Sequence, residues 1–111
     1  MINPRLEIKS LLDTLGYPVY KSTQTVFNTL PALTYYIADS HVELTLDRQI
    51  ASQFTDVWIS IWSEDGLEAS SILDRLEELL RANNYTLTFS ADVPNTDAGL
   101  VHISTRFNKT E

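Results

Sequence analysis

A chain of 111 residues has the length of one domain, since ~100–150 residues per domain leave no room for a second globular core. Hydrophobic residues at 43% and charged residues at 21% exclude wholesale disorder, and the absence of cysteine excludes disulfides, iron–sulfur clusters, thiolate zinc sites and cysteine nucleophiles together. Eight Lys and Arg against fifteen Asp and Glu give a net charge of −7, which disfavours a generic grip on DNA or RNA because neutralising phosphate needs a basic face.

The N-terminus, Met1 to Glu7, carries an acid early and no apolar run, which is not the pattern of a signal peptide. No stretch approaches the ~20 apolar residues of a membrane-spanning helix, so assembly and use in the cytoplasm are expected. Asn3-Pro4 is a helix start, with Asn as N-cap and Pro at the first helical position. Ile8, Leu11, Leu12 and Leu15 recur at helical spacing, and Gly16 and Pro18 end the run, predicting a short amphipathic helix over 4–15. Residues 17–20 are extended. Residues 22–32 contain no charge and no clear period and are expected to form a long loop or arm.

Residues 33–38 have the composition of a strand, after which alternation becomes strict. Val42, Leu44 and Leu46 point one way, while Asp39, His41, Glu43, Thr45 and Asp47 point the other. Residues 49–55 are expected to be a connector. Val57, Ile59 and Ile61 then alternate with Trp58, Ser60 and Trp62 in a second strong strand. Asp65 followed by Glu68 resembles a capping box opening a helix over 67–82, whose stripe is Ala69, Ile72, Leu73, Leu76, Leu79 and Leu80. Asn83-Asn84 supplies a left-handed exit. Residues 86–90 form a strand with Leu87 and Phe89 expected on one face, 92–99 a turn-rich loop, 100–107 a final strand, and 108–111 a polar tail. The order α-β-β-(β)-α-β-β predicts an α+β fold: a mostly antiparallel sheet of four to five strands with two helices on one face.

Catalytic chemistry finds little support. His41 and His102 are the histidines, and neither sits in a nucleophile motif. Gly16, Gly66 and Gly99 are too far apart for a phosphate-binding loop, and no carboxylate pair stands out as a glycosidase dyad. Asp39, His41 and Glu43 share a strand face with ligand-type side chains, but a solvated outer face explains them better than a metal. His102 has the setting of a structural or interface histidine. No cofactor is expected.

Two features concern surfaces. Between Asp39 and Glu78 lie ten acids and two bases, a local balance of −8, so one region carries the negative field. If the long helix covers Val57, Ile59 and Ile61, then Trp58 and Trp62 lie on the opposite face. There they form a partner surface, or the first helix or the 22–32 loop folds over them.

The order of these pieces resembles the small tail-completion (tail terminator, or tail-to-head joining) proteins of long-tailed bacteriophages and prophages. The resemblance runs through Tyr17-Pro18-Val19-Tyr20, Leu30-Pro31 before a Tyr-rich strand, and Val57-Trp58-Ile59-Ser60-Ile61-Trp62-Ser63. It continues through Leu67-Glu68-Ala69, Asn83-Asn84-Tyr85, Asp97-Ala98-Gly99-Leu100-Val101-His102 and Arg106-Phe107. It implies an α+β virion protein without catalysis, forming a ring, typically a hexamer, at the head-proximal end of the tail. That ring ends polymerisation of the tail-tube protein, receives head-completion or connector proteins, and lets DNA pass through its lumen. The isolated chain is expected to be monomeric, with tail-end binding needed for the ring. Trp58, Trp62, Phe27 and Arg106 are the expected ring contacts, and Asp39, Glu43, Asp47, Glu64 and Asp65 the expected acidic lumen, which would repel phosphate. The alternatives are a head-completion or neck adaptor, an acidic binding module that mimics nucleic acid, and a small metal-dependent enzyme.

Overall fold

A computed structural model describes residues 3–21, 30–44, 50–93 and 100–110. Two helices, α1 (Pro4–Asp13) and α2 (Gly66–Ala82), accompany five strands: β1 (Val19–Lys21), β2 (Ala32–Leu44), β3 (Ile50–Ser63), β4 (Thr86–Val93) and β5 (Val101–Thr110). The strands form one sheet in the order β1-β2-β3-β5-β4, antiparallel except for the β1–β2 pair. The fold is α+β, as the element order predicts.

Each helix begins where its sequence marks a start. The Asn3 side chain accepts hydrogen bonds from the backbone N–H groups of Arg5 and Leu6, at 3.1 and 3.4 Å, with Pro4 in the first turn. Asp65 caps α2 by accepting from the Leu67 N–H at 3.0 Å. The capping box closes through an intermediary. Ser63 Oγ donates to Glu68 Oε1 at 2.6 Å and accepts from the Asp65 N–H at 3.1 Å, doing what a Glu68 contact to the Asp65 backbone would do directly. At the other end of α2, Asn84 adopts a φ of 71°. The Asn84 N–H donates to Arg81 O at 3.1 Å and the Tyr85 N–H to Leu80 O at 2.9 Å. This is a Schellman exit, with buried Tyr85 completing it.

One core lies between the helices and one face of the sheet. Ile8 and Leu12 of α1 and Ala69, Ile72, Leu76 and Leu80 of α2 pack with Leu33, Val57, Ile59, Ile61, Ile103 and Phe107. Each large aliphatic buried there contributes about 1.5–3 kcal/mol. The buried Thr105 hydroxyl is satisfied by donating to Ile59 O at 2.7 Å. Lys109 reaches Glu7 of α1 and lies 4.5 Å from the Tyr85 ring centroid, so the last strand is tied to the first helix.

Five expectations change. Asp92 and Val93, expected in the 92–99 loop, are the last residues of β4. Of the connector expected at 49–55, residues 50–55 are strand, because 50–56, which lack the apolar alternation that marks a buried strand, pair with 39–44. The polar tail expected at 108–111 is strand through Thr110, since Asn108, Lys109 and Thr110 pair with Asp56, Thr55 and Phe54. Leu87 and Phe89 do not share a face. A register shift between them leaves Leu87 packed against the core and Phe89 46% exposed on the other side. Ala32, expected in the loop, opens β2, while 22–29 of that loop lie outside the described residues.

Candidate interaction surface

The face of the sheet opposite the helices is built by the second half of each alternation. On β3 it presents Phe54, Asp56, Trp58, Ser60 and Trp62, so three aromatic side chains stand four residues apart on the central strand. Each meets neighbours across the adjoining strands. His41 lies against Phe54 with ring centroids 5.3 Å apart. Tyr36 stacks beside Trp58 at 6.4 Å, and Phe89 meets the same indole edge-on at 5.7 Å. His102 stacks on Trp62 at 3.8 Å, and Trp62 Nε1 donates to Thr34 Oγ1 at 3.1 Å. The result is an aromatic ladder on which Trp58 and Trp62 are half-buried by their own row and Tyr36 and Phe89 are exposed.

Arg106 holds the middle of the ladder. Its guanidinium lies 5.4 Å from the Trp58 ring centroid and binds both carboxylate oxygens of Asp56, with Nε at 2.9 and 3.1 Å and Nη2 at 2.5 Å. Asp56 is almost fully buried, and a buried carboxylate is costly unless it is paired and hydrogen-bonded in this way. The hydrogen bonds that Arg106 donates to Asp56, and the carboxylate's charge, hold the guanidinium pKa above its ordinary value. Arg106 is therefore a positioning side chain that neutralises the face and braces Trp58. Burial lowers the His102 pKa, so its ring favours the neutral form against Trp62.

The expected contact residues Trp58, Trp62 and Arg106 come together on this face, whereas Phe27 lies outside the described residues. Neither helix covers the two indoles, because both pack on the far side. Of the residues expected to line an acidic lumen, the described ones, Asp39, Glu64 and Asp65, do not form one cluster within the chain. Asp39 pairs with His41 at 3.1 Å midway along β2, and Glu64 and Asp65 follow the C-terminal end of β3. Asp39 lies level with Asp56, eight residues before Glu64, or about 27 Å along the strand. Of Glu43 only the backbone place in β2 is described, and Asp47 lies outside the described residues. The acids that do gather are on the exposed side of α2, where Glu68, Asp74, Glu77 and Glu78 accompany Arg75 and Arg81. These α2 acids lie on the side of the molecule away from the aromatic ladder.

Tyr36, Phe54, Phe89 and Asp56 are members of the face that sequence reasoning passed over. The spacing Phe54-x-x-x-Trp58-x-x-x-Trp62 held the signal for Phe54, since an even step on a strand keeps one face. Nothing local signals Phe89, which the register shift turns outward. Among the described residues no group of three or more His, Asp or Glu side chains is placed to hold a metal ion. Among them, too, no helix is long and apolar enough to cross a membrane. The face offers flat aromatic area, one braced cation and few free charges, which is the composition of a protein-contact surface. Neither a protein-family model nor a curated protein matches this chain.

Proposed function

We propose that the protein is a structural, non-catalytic component of a phage tail. It forms a ring at the head-proximal end, stops tail-tube polymerisation and joins tail to head. The observation that carries this reading is the aromatic face opposite the helices. Among the described residues no helix covers it, and a sheet that keeps Trp58, Tyr36 and Phe89 on that side is suited to meet another protein surface. The order of sequence pieces that resembles tail-completion proteins supplies the kind of assembly, and the −7 charge suits a lumen that DNA crosses without being held. In this reading Trp58, Trp62 and Arg106 lie in protein contacts of the assembled ring, and the acidic side of α2 is the surface offered to passing DNA.

Electron microscopy of the purified protein mixed with growing tail tubes tests the proposal. Capped tubes bearing a ring at one end, with elongation arrested, are expected. Tubes that elongate unchanged overturn it. Binding to the head connector without tube capping would instead assign a neck adaptor, and displacement of DNA from a DNA-binding protein would assign an acidic mimic.

A further inference from the structure

β4 lies at one margin of the sheet. Among the described residues its sole strand neighbour is β5, so along its other side the N–H and C=O groups of alternate residues point outward. Sheet edges are commonly blunted by Pro, by Lys or Arg, or by a bulge. β4 carries no Pro, Lys or Arg, and its register shift lies between Leu87 and Phe89, which leaves Phe89 to Val93 in regular register. Phe89, Ser90, Asp92 and Val93 are exposed, and Ala91 is half-buried. Phe89 and Val93, at 46% and 37% exposure, are among the large apolar side chains that the fold leaves uncovered.

Pairing with β5 gives each of these residues a face. Phe89, Ala91 and Val93 stand opposite Arg106, Ser104 and His102, on the side of the aromatic ladder. Ser90 and Asp92 stand opposite Thr105 and Ile103, on the side of the helices. Antiparallel pairing of this strand with its own copy turns about a two-fold axis at one residue, and face and charge select which. Centred on Ala91, Phe89 meets Val93 of the second copy, and Ser90 meets Asp92. Apolar then meets apolar on the ladder side, and each carboxylate meets a hydroxyl on the helix side. Centred on Asp92, two carboxylates would stand directly opposite each other. Centred on Ser90, the pairing would run into the register shift beyond Phe89. The Ala91 register also joins the two ladders. Trp62, His102 and Val93 form one row across β3, β5 and β4, and Trp58, Arg106 and Phe89 form another. Pairing at Ala91 aligns the first row of one copy with the second row of the other, so one aromatic face runs across both.

We infer that the β4 edge, Phe89–Val93, pairs antiparallel with the same edge of a second copy of this chain, about a two-fold axis at Ala91. Main-chain hydrogen bonds supply the affinity, and the Phe89–Val93 and Ser90–Asp92 pairs supply the register. Such a contact closes on itself and does not propagate round a ring. It therefore describes the free chain and stands without the proposed tail function. The resemblance implies a monomer there, whereas the edge implies a dimer.

The chain has no cysteine, so Ala91→Cys gives one thiol per copy. The pairing sets it against its counterpart at the Cα separation of about 4.5–5.5 Å found across antiparallel strands, within disulfide reach. Oxidation at high protein concentration should give covalent dimer at least about tenfold faster than for Ser10→Cys, whose thiol lies on exposed α1. Sedimentation equilibrium then reads the register. Ser90→Glu sets like charges opposite Asp92 and should weaken dimerisation about fivefold, whereas Ser90→Arg should tighten it by about as much. Ser10→Arg, the same change of charge away from the edge, should leave it unaltered. Cross-linking no faster than the Ser10→Cys control, or Ser90→Glu and Ser90→Arg moving dimerisation in the same direction, overturns the pairing. If the chain still caps tail tubes in that case, the ring reading survives. A rapidly cross-linked dimer with tubes left uncapped by the parent chain upholds the pairing and removes the tail function.

Discussion

The two faces of one sheet have opposite fates. On β3, Val57, Ile59 and Ile61 are fully buried under two helices, while Trp58 and Trp62, one residue away in each case, lie on the side that neither α1 nor α2 reaches. The covered face is aliphatic, with the hydroxyl of Thr105 bonded to the backbone. The open face is aromatic and carries a buried carboxylate answered by an arginine. Aliphatic side chains gain most from interdigitating in a dry core. Aromatic ones keep a flat contact area with polar edges, and so remain useful at a surface that a second protein covers.

The sharpest way to break this contrast is to damage the covered face. Ile59→Ala should cost about 2–5 kcal/mol in urea unfolding, through lost burial and the cavity left behind. A loss below ~1 kcal/mol would mean that the helices do not hold this face as a packed core. Next, Glu7→Ala leaves Lys109 buried without its carboxylate. About 2 kcal/mol of destabilisation is expected, less than for a fully buried pair because Glu7 is partly exposed, and Lys109→Met should recover part of it in the double variant. A double variant no more stable than Glu7→Ala alone would place the cost in packing rather than in the lost ion pair.

Trp58→Ala tests the open face. Association should weaken at least about tenfold, while unfolding free energy falls by only ~1 kcal/mol from lost stacking on Tyr36 and Phe89. Loss of stability matching that of Ile59→Ala, with association intact, would make the ladder a second core layer.

The smallest effect concerns His102. Burial lowers its folded pKa below the unfolded value of about 6.5, so the folded state resists taking the proton. Its contribution is therefore complete above about pH 6.5 and is lost as pH falls towards the folded pKa. His102→Gln should shrink the drop in melting temperature between about pH 7.5 and 5.5. An unchanged drop would assign the acid sensitivity to the carboxylates.

Much of the fold was legible because its signals are local. Asn3-Pro4, Asp65 and Asn83-Asn84 mark helix ends through hydrogen bonds to their own backbone, and the 69/72/76/80 stripe needs only the helical period. The alternation at 57–62 put the two tryptophans on the face opposite Ile59 for the same reason. What was misread depends on partners far along the chain. Residues 50–56 and 108–110 carry no apolar rhythm and are strand because each finds a ladder to join. The register shift that parts Leu87 from Phe89 is set by pairing with β5.

The sequence by itself thus determined where the helices start and stop, which side of β3 is aliphatic, and that the chain carries excess negative charge. Only the tertiary structure decided that Arg106 neutralises buried Asp56, that the acids of α2 face away from the aromatic ladder, and that residues 50–56 and 108–110 join the sheet. Capping and periodicity are paid within one or two turns of chain, whereas ion pairing and strand register are settled between residues some fifty positions apart.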